Sequence, residues 1–120
     1  MILDDIETAL KSVYPRVFYG TAAKIARNEP WNYIVFGREA ADLSPNLTSL
    51  TTTYVVAYVH EDYTPEDAEE RIISAMCAIP GVKPSGEGAI YEYQTKPGTT
   101  DVVEMLAIRF KCARKIDVSR

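Results

Sequence analysis

The chain has 120 residues, 47% of them hydrophobic and 25% charged, which suits one globular domain and argues against a disordered or fibrous protein. A net charge of -4 and a pI near 5.0 lack the basic signature of nucleic-acid binders. No apolar run approaches the roughly 20 residues that span a bilayer, so no membrane partner is expected.

Residues 2–13 read as a short helix. Ile2, Leu3, Ile6, Leu10 and Val13 fall near the 3.6 period. Asp4, Asp5 and Glu7 suit its positive end, and Pro15 stops it. Val17, Phe18 and Tyr19 suit a short edge strand, and residues 21–26 suit a helical turn after Gly20. Residues 31–36 are dense in aromatic and β-branched types and read as a strand. Residues 38–49 are polar, contain Ser44-Pro45-Asn46, and read as a long loop.

Residues 50–60 form the strongest strand pattern. Both of its faces are substantially apolar, which suits a central strand or one covered on both sides. Thr64-Pro65-Glu66-Asp67 reads as a helix start with Thr64 as the cap. Ala68, Ile72, Ala75, Met76 and Ile79 make one apolar stripe, and Pro80-Gly81 ends that helix. Residues 82–88 read as a turn-rich link. Residues 89–95 and 102–113 read as two strands joined across Lys96-Pro97-Gly98, with a polar tail after them. The expectation is a single α+β domain over residues 1–120. It has a mainly antiparallel sheet of about four strands and two helices on one face, a ferredoxin-like variant.

Cys77 and Cys112 make no CxxC pair, and both are expected to be buried free thiols. The acidic start, residues 1–5, lacks the basic region of a signal peptide, so the cytoplasm of the producing cell is the expected compartment. Without secretion, the glycosylation pattern at Asn46-Leu47-Thr48 carries no meaning.

Residues suited to catalysis or metal binding are few. His60 is the single histidine and sits beside Glu61 and Asp62. A solvated strand end is the expected reading of that trio. The acids at 66 and 67 are explained as helix-start residues rather than metal ligands. The glycines form no phosphate-binding loop. Glu92 and Glu104 are expected to face each other across the last hairpin as surface charges. No catalytic residue, cofactor or metal is expected, and the protein is read as non-enzymatic. Charge pattern remains. Glu61, Asp62, Glu66, Asp67, Glu69 and Glu70 crowd ten residues, and Arg109, Lys111, Arg114 and Lys115 crowd seven. The sharper reading makes Glu66, Asp67, Glu69 and Glu70 one subunit interface and the four bases its complement on a neighbouring copy. Eight tyrosines and Trp31 point the same way.

The segments Tyr91-Glu92-Tyr93-Gln94-Thr95-Lys96, Thr100-Asp101-Val102-Val103-Glu104-Met105 and Ala113-Arg114-Lys115 resemble a recurrent pattern in small head-tail joining proteins of long-tailed bacteriophages and prophages. The strand through residues 53–59, followed by His60-Glu61-Asp62-Tyr63 and an acidic helix, extends the resemblance over residues 31–115. Length and element order resemble the tail-terminator, or tail-completion, proteins. The resemblance implies an α+β subunit that forms a ring, commonly a hexamer. The ring caps the tail tube and offers a surface to the head connector. It implies no substrate or cofactor, no nucleic-acid contact beyond the ring lumen, and a place in the virion, at the tail end or neck, after assembly in the host cytoplasm. Two other readings stand beside it. One is a tail-tube or connector component. The other, of a different class, is a small ligand-binding or regulatory ferredoxin-like domain.

Overall fold

The computed structural model describes residues 1–21 and 30–116. Its elements run α1 (Ile2–Lys11), β1 (Val17–Tyr19), β2 (Tyr33–Leu43), β3 (Ser49–Glu61), α2 (Ala68–Cys77), β4 (Val82–Thr95) and β5 (Val102–Lys115). The strands form one five-stranded sheet in the order β1-β2-β3-β5-β4. The β2–β3, β3–β5 and β4–β5 pairs are antiparallel. β1 adds three residues in parallel to β2, which makes the sheet mixed. The expected α+β layout with two helices therefore holds, with a fifth strand that the count of about four omits.

Both helices lie on one face. Ile6 and Leu10 of α1 and Ala68, Ile72 and Met76 of α2 meet Ile34, Phe36, Tyr54, Val56, Tyr58, Leu106, Ile108 and Phe110 in a single core. Those sheet residues alternate along their strands, so one face of each strand enters the core. β3 sits in the middle of the sheet, and its second face is also largely buried.

Several boundaries differ from the sequence expectation. α1 stops at Lys11, where the Ser12 hydroxyl donates back to the Ala9 carbonyl at 2.6 Å. Arg71 Nη2 then donates to the Val13 carbonyl at 3.0 Å and covers the helix end. The expected loop over residues 38–49 is largely strand. β2 continues to Leu43, and only residues 44–48 turn. A bulge at Glu39 shifts the register between Arg38 and Ala40. That extra residue changes which side chains share a face and hides the period-2 pattern. Residues 82–88, expected as a link, belong to β4. The register breaks between Pro84 and Ala89, with Gly86 and Gly88 at φ 90° and 77°. Two left-handed glycines read as a turn in sequence, yet here they form a bulge inside a strand.

α2 begins at Ala68, with Asp67 rather than Thr64 before it. Residues 65–67 make a turn in which the Ala68 amide donates to the Pro65 carbonyl at 3.0 Å. Thr64 is drawn away by Glu104. Cys77 is exposed and Cys112 half-buried, both free, so neither is the buried thiol expected. Cys77 follows Met76 by one position and so points off the buried stripe. The helical turn expected at residues 21–26 falls mostly outside the described residues.

Gly81 turns the chain from α2 into β4 at φ 85°. A Cβ there would stand 3.6 Å from Cys112 Sγ, which is ordinary contact. The backbone angle is therefore the whole penalty. Gly81→Ala is expected to cost about 1–2 kcal/mol. An unchanged melting midpoint by circular dichroism would contradict this.

Candidate functional site

The charges singled out in the sequence separate in space. Residues 61–70 lie at the end of the sheet where β3 finishes and β5 begins, since Glu61 pairs with Val103. Glu66, Asp67 and Glu70 are exposed there, around the start of α2. Glu69 is half-buried and accepts a hydrogen bond from the Tyr91 hydroxyl on β4. Partial burial first, and then that carboxylate, push the Tyr91 hydroxyl up to about 12. The acid patch is thus tied to the rim of β4 through one tyrosine.

Glu61 does not join that patch. Its Oε2 accepts from the Trp31 amide at 2.6 Å and from Lys96 Nζ at 3.3 Å. Lys96 Nζ also stands 5.7 Å from the centre of the Trp31 ring. Glu61 therefore clasps the approach to β2 against the β4–β5 hairpin. The Trp31 amide hydrogen bond, more than the Lys96 charge, holds its carboxyl below the ordinary range.

Glu104 has the most crowded surroundings of these acids. The Thr64 amide and hydroxyl both donate to its Oε1, at 2.9 and 2.7 Å. The Tyr93 hydroxyl donates to it as well. Burial pushes this carboxyl up, but the two Thr64 donors, Tyr93 and His60 together outweigh that and hold it below the ordinary range. It is a fixed anion, occupied by donors, that anchors the turn before α2 onto β5. The donors also explain why Glu104 is buried at 8% exposure without being orphaned.

His60 is the cross-strand partner of Glu104. Its ring packs 5.9 Å from Tyr58 and 6.4 Å from Tyr14, edge to face. Its Nδ1 lies 2.9 Å from the Glu61 carbonyl, so that nitrogen carries the proton it donates. His60 is thus a packed, half-buried ring rather than the solvated strand end expected. Glu92 and Glu104 do not face each other. Glu92 pairs with Met105 and Tyr93 with Glu104, which puts the two acids on opposite faces. Among the described residues no three His, Cys, Asp or Glu side chains converge as a metal site would need. No helix there is long and apolar enough to cross a membrane.

The four bases occupy the second half of β5. Arg109 is held by Glu39, with Nε 2.8 and 2.9 Å from the two carboxylate oxygens. This engagement lies within the chain, so Arg109 is not an open contact. Lys111, Arg114 and Lys115 are exposed. Lys111 stands directly opposite Lys83 of β4. Alternation puts Lys111 and Lys115 on the helix-free face and Arg114 on the other. From the Glu104 position to residue 113 is nine residues, or about 30 Å of strand.

Two more features were not legible in the sequence. β4 ends the sheet on one side. On the other side β1 pairs with Ile34, Val35 and Phe36 of β2, which among the described residues leaves residues 38–43 at the edge. Exposed apolar side chains gather on or beside these margins: Ile90, Tyr91 and Tyr93 on β4, and Leu43 on β2. Compared with known proteins, the chain matches no family model and no curated protein.

Proposed function

We propose that this protein is a structural subunit of the head-tail junction of a long-tailed bacteriophage: a tail terminator. It caps the tail tube as a ring and offers a docking surface to the head connector. The mechanism is stoichiometric and uses no substrate, cofactor or metal. The subunit works in the virion neck after assembling in the host cytoplasm. The reading starts from the sequence resemblance over residues 31–115. The observation that carries it further is the partition of charge along β5. Exposed acids Glu66, Asp67 and Glu70 lie at one end of the sheet, and exposed bases Lys111, Arg114 and Lys115 lie about 30 Å away. A head-to-tail ring needs two unlike lateral surfaces on each subunit, and opposite charges orient such a contact. Two hairpins joined by α2, with both helices on one face, support the ferredoxin-like variant reading of the fold.

The test is the mass in solution, by light scattering on a sizing column across protein and salt concentration. A closed ring of about six copies, with an open hole by electron microscopy, is the expected result. Filaments of unlimited length would point instead to a tube component. Monomer or dimer at every concentration, with binding of a small molecule, would replace the reading with a regulatory domain.

A charge prediction follows. Glu66→Lys with Glu70→Lys, both exposed, is expected to weaken assembly at low salt, and by less at high salt, because the screening length shortens with ionic strength. Light scattering of the double variant at two salt concentrations checks this. An oligomer unchanged in size and in salt dependence would remove the acidic patch from the contact.

A further inference from the structure

Exposed sheet edges are normally blunted by short strands, proline, lysine, bulges or a covering element. Residues 89–95 of β4 have none of these among the described residues. Their sequence is Ala-Ile-Tyr-Glu-Tyr-Gln-Thr, with one charge, and Tyr93 is 64% exposed. The protection stops just outside. The bulge over residues 85–88 and Pro84 bound the stretch on one side, and Pro97 on the other. The margin of β2 over residues 38–43, unpaired among the described residues, is of similar length and also wholly exposed. The two margins lie on opposite sides of one sheet.

Chain direction makes them compatible. Each of the β2–β3, β3–β5 and β5–β4 neighbours is antiparallel. β4 and β2 therefore run in opposite directions, and a copy translated past the β4 margin presents its β2 in antiparallel sense. Side-chain faces agree too. Tyr91 and Tyr93 share the helix-bearing face, since they pair with Leu106 and Glu104. On β2, Ala41 and Leu43 pair with Thr52 and Leu50 and share that same face. Apolar side chains of the two margins thus lie on one face of the joined sheet, and Tyr91 opposite Ala41 puts Leu43 opposite Ala89. With Tyr91 opposite Ala41, Glu92 falls opposite Ala40 and not Asp42, which avoids facing two carboxylates.

We infer that copies of this chain join by strand addition, residues 89–95 of one pairing antiparallel with residues 38–43 of the next. The contact is heterologous, so one sheet runs on from copy to copy. The stretches also sit at opposite ends of the strands, with centres roughly 20 Å apart along the strand direction. Successive copies are therefore staggered, and the strands tilt relative to the axis of any closed ring, as strands do in barrels. The inference rests on the self-assembly part of the reading above and not on the phage role.

The test uses the full chain with Cys77→Ser and Cys112→Ser, so that no native thiol reacts. Ala41→Cys, Tyr91→Cys and the double variant are treated with a short bismaleimide, whose span tolerates a shift in register. All the new thiols replace exposed side chains, and circular dichroism confirms the fold before treatment. The double variant is expected to give a ladder of covalent multimers, and each single variant only background. Dimers from Tyr91→Cys alone would overturn the proposal in favour of a two-fold β4–β4 contact. Oligomers seen by light scattering with no ladder would overturn the strand contact and leave the ring reading standing. Monomers with no ladder would overturn both.

Discussion

Phe110→Ala is expected to cost about 3–5 kcal/mol of folding free energy. Phe110 is fully buried, at 0% exposure, on β5 opposite Tyr54. It also neighbours Pro84, the last β4 residue in register before the bulge. Three pieces of the fold therefore meet at one ring: the central strand, the long fifth strand, and the short bonded start of β4. Truncation removes the ring's transfer energy and leaves a void that neighbouring side chains only partly fill. A domain of this size has about 5–15 kcal/mol in all, so the variant stands near the limit of folding at 37 °C. Urea denaturation followed by circular dichroism measures the loss. A change below about 1 kcal/mol would mean that the wall around Phe110 collapses freely and is not closely packed.

Replacing Glu104 by alanine is expected to cost about 2–4 kcal/mol near neutral pH, because hydrogen bonds to a buried charged acceptor are the stronger kind. Three donors lose their acceptor at once: the Thr64 amide, the Thr64 hydroxyl and the Tyr93 hydroxyl. The turn before α2 loses its anchor on β5. The sign of the pH dependence follows from the lowered carboxyl. In the unfolded chain the group titrates near its ordinary value of 4.5, and in the folded chain lower. Its stabilisation is therefore complete above the ordinary value and is lost as pH falls from there through the folded value. Glu104→Gln keeps the shape and removes the titration. Wild-type stability should fall more steeply over that acid range than that of the glutamine variant. Parallel slopes in urea titrations across acid pH would show that Glu104 is not the group responsible. The glutamine variant should also keep part of the anchor, since its carbonyl still accepts from Thr64.

The central position of β3 was legible in sequence, because both of its faces carry apolar side chains. So was the buried stripe of α2 through Ala68, Ile72 and Met76, which follows the 3.6 period. The β4–β5 hairpin was legible from Lys96-Pro97-Gly98, whereas β1, only three residues long, suits a strand locally but was not counted in the expected sheet. Where a bulge intervenes, that legibility fails. Glu39 and residues 85–88 each insert residues that break alternation, so two strand halves pass for loops. The Thr64 cap fails for another reason. A threonine before a proline satisfies the local pattern for a helix start, but Glu104, forty residues on, competes for the same hydroxyl and wins with a second donor beside it.

The candidate surfaces divide the same way. The sequence by itself determined which residues are charged, that acids cluster at 61–70 and bases at 109–115, and the class of fold that their neighbours' periodicity demands. Only the tertiary structure decided which of those charges are open. Glu61 is spent on Trp31 and Lys96, Glu69 on Tyr91, and Arg109 on Glu39, while Lys111, Arg114 and Lys115 stay in solvent. It alone decided that residues 38–43 and 89–95 stand at opposite margins of one sheet. The reason is physical. Side-chain type and spacing are local properties, whereas strand order and cross-strand partners depend on contacts between residues far apart in the chain, and no local period encodes them.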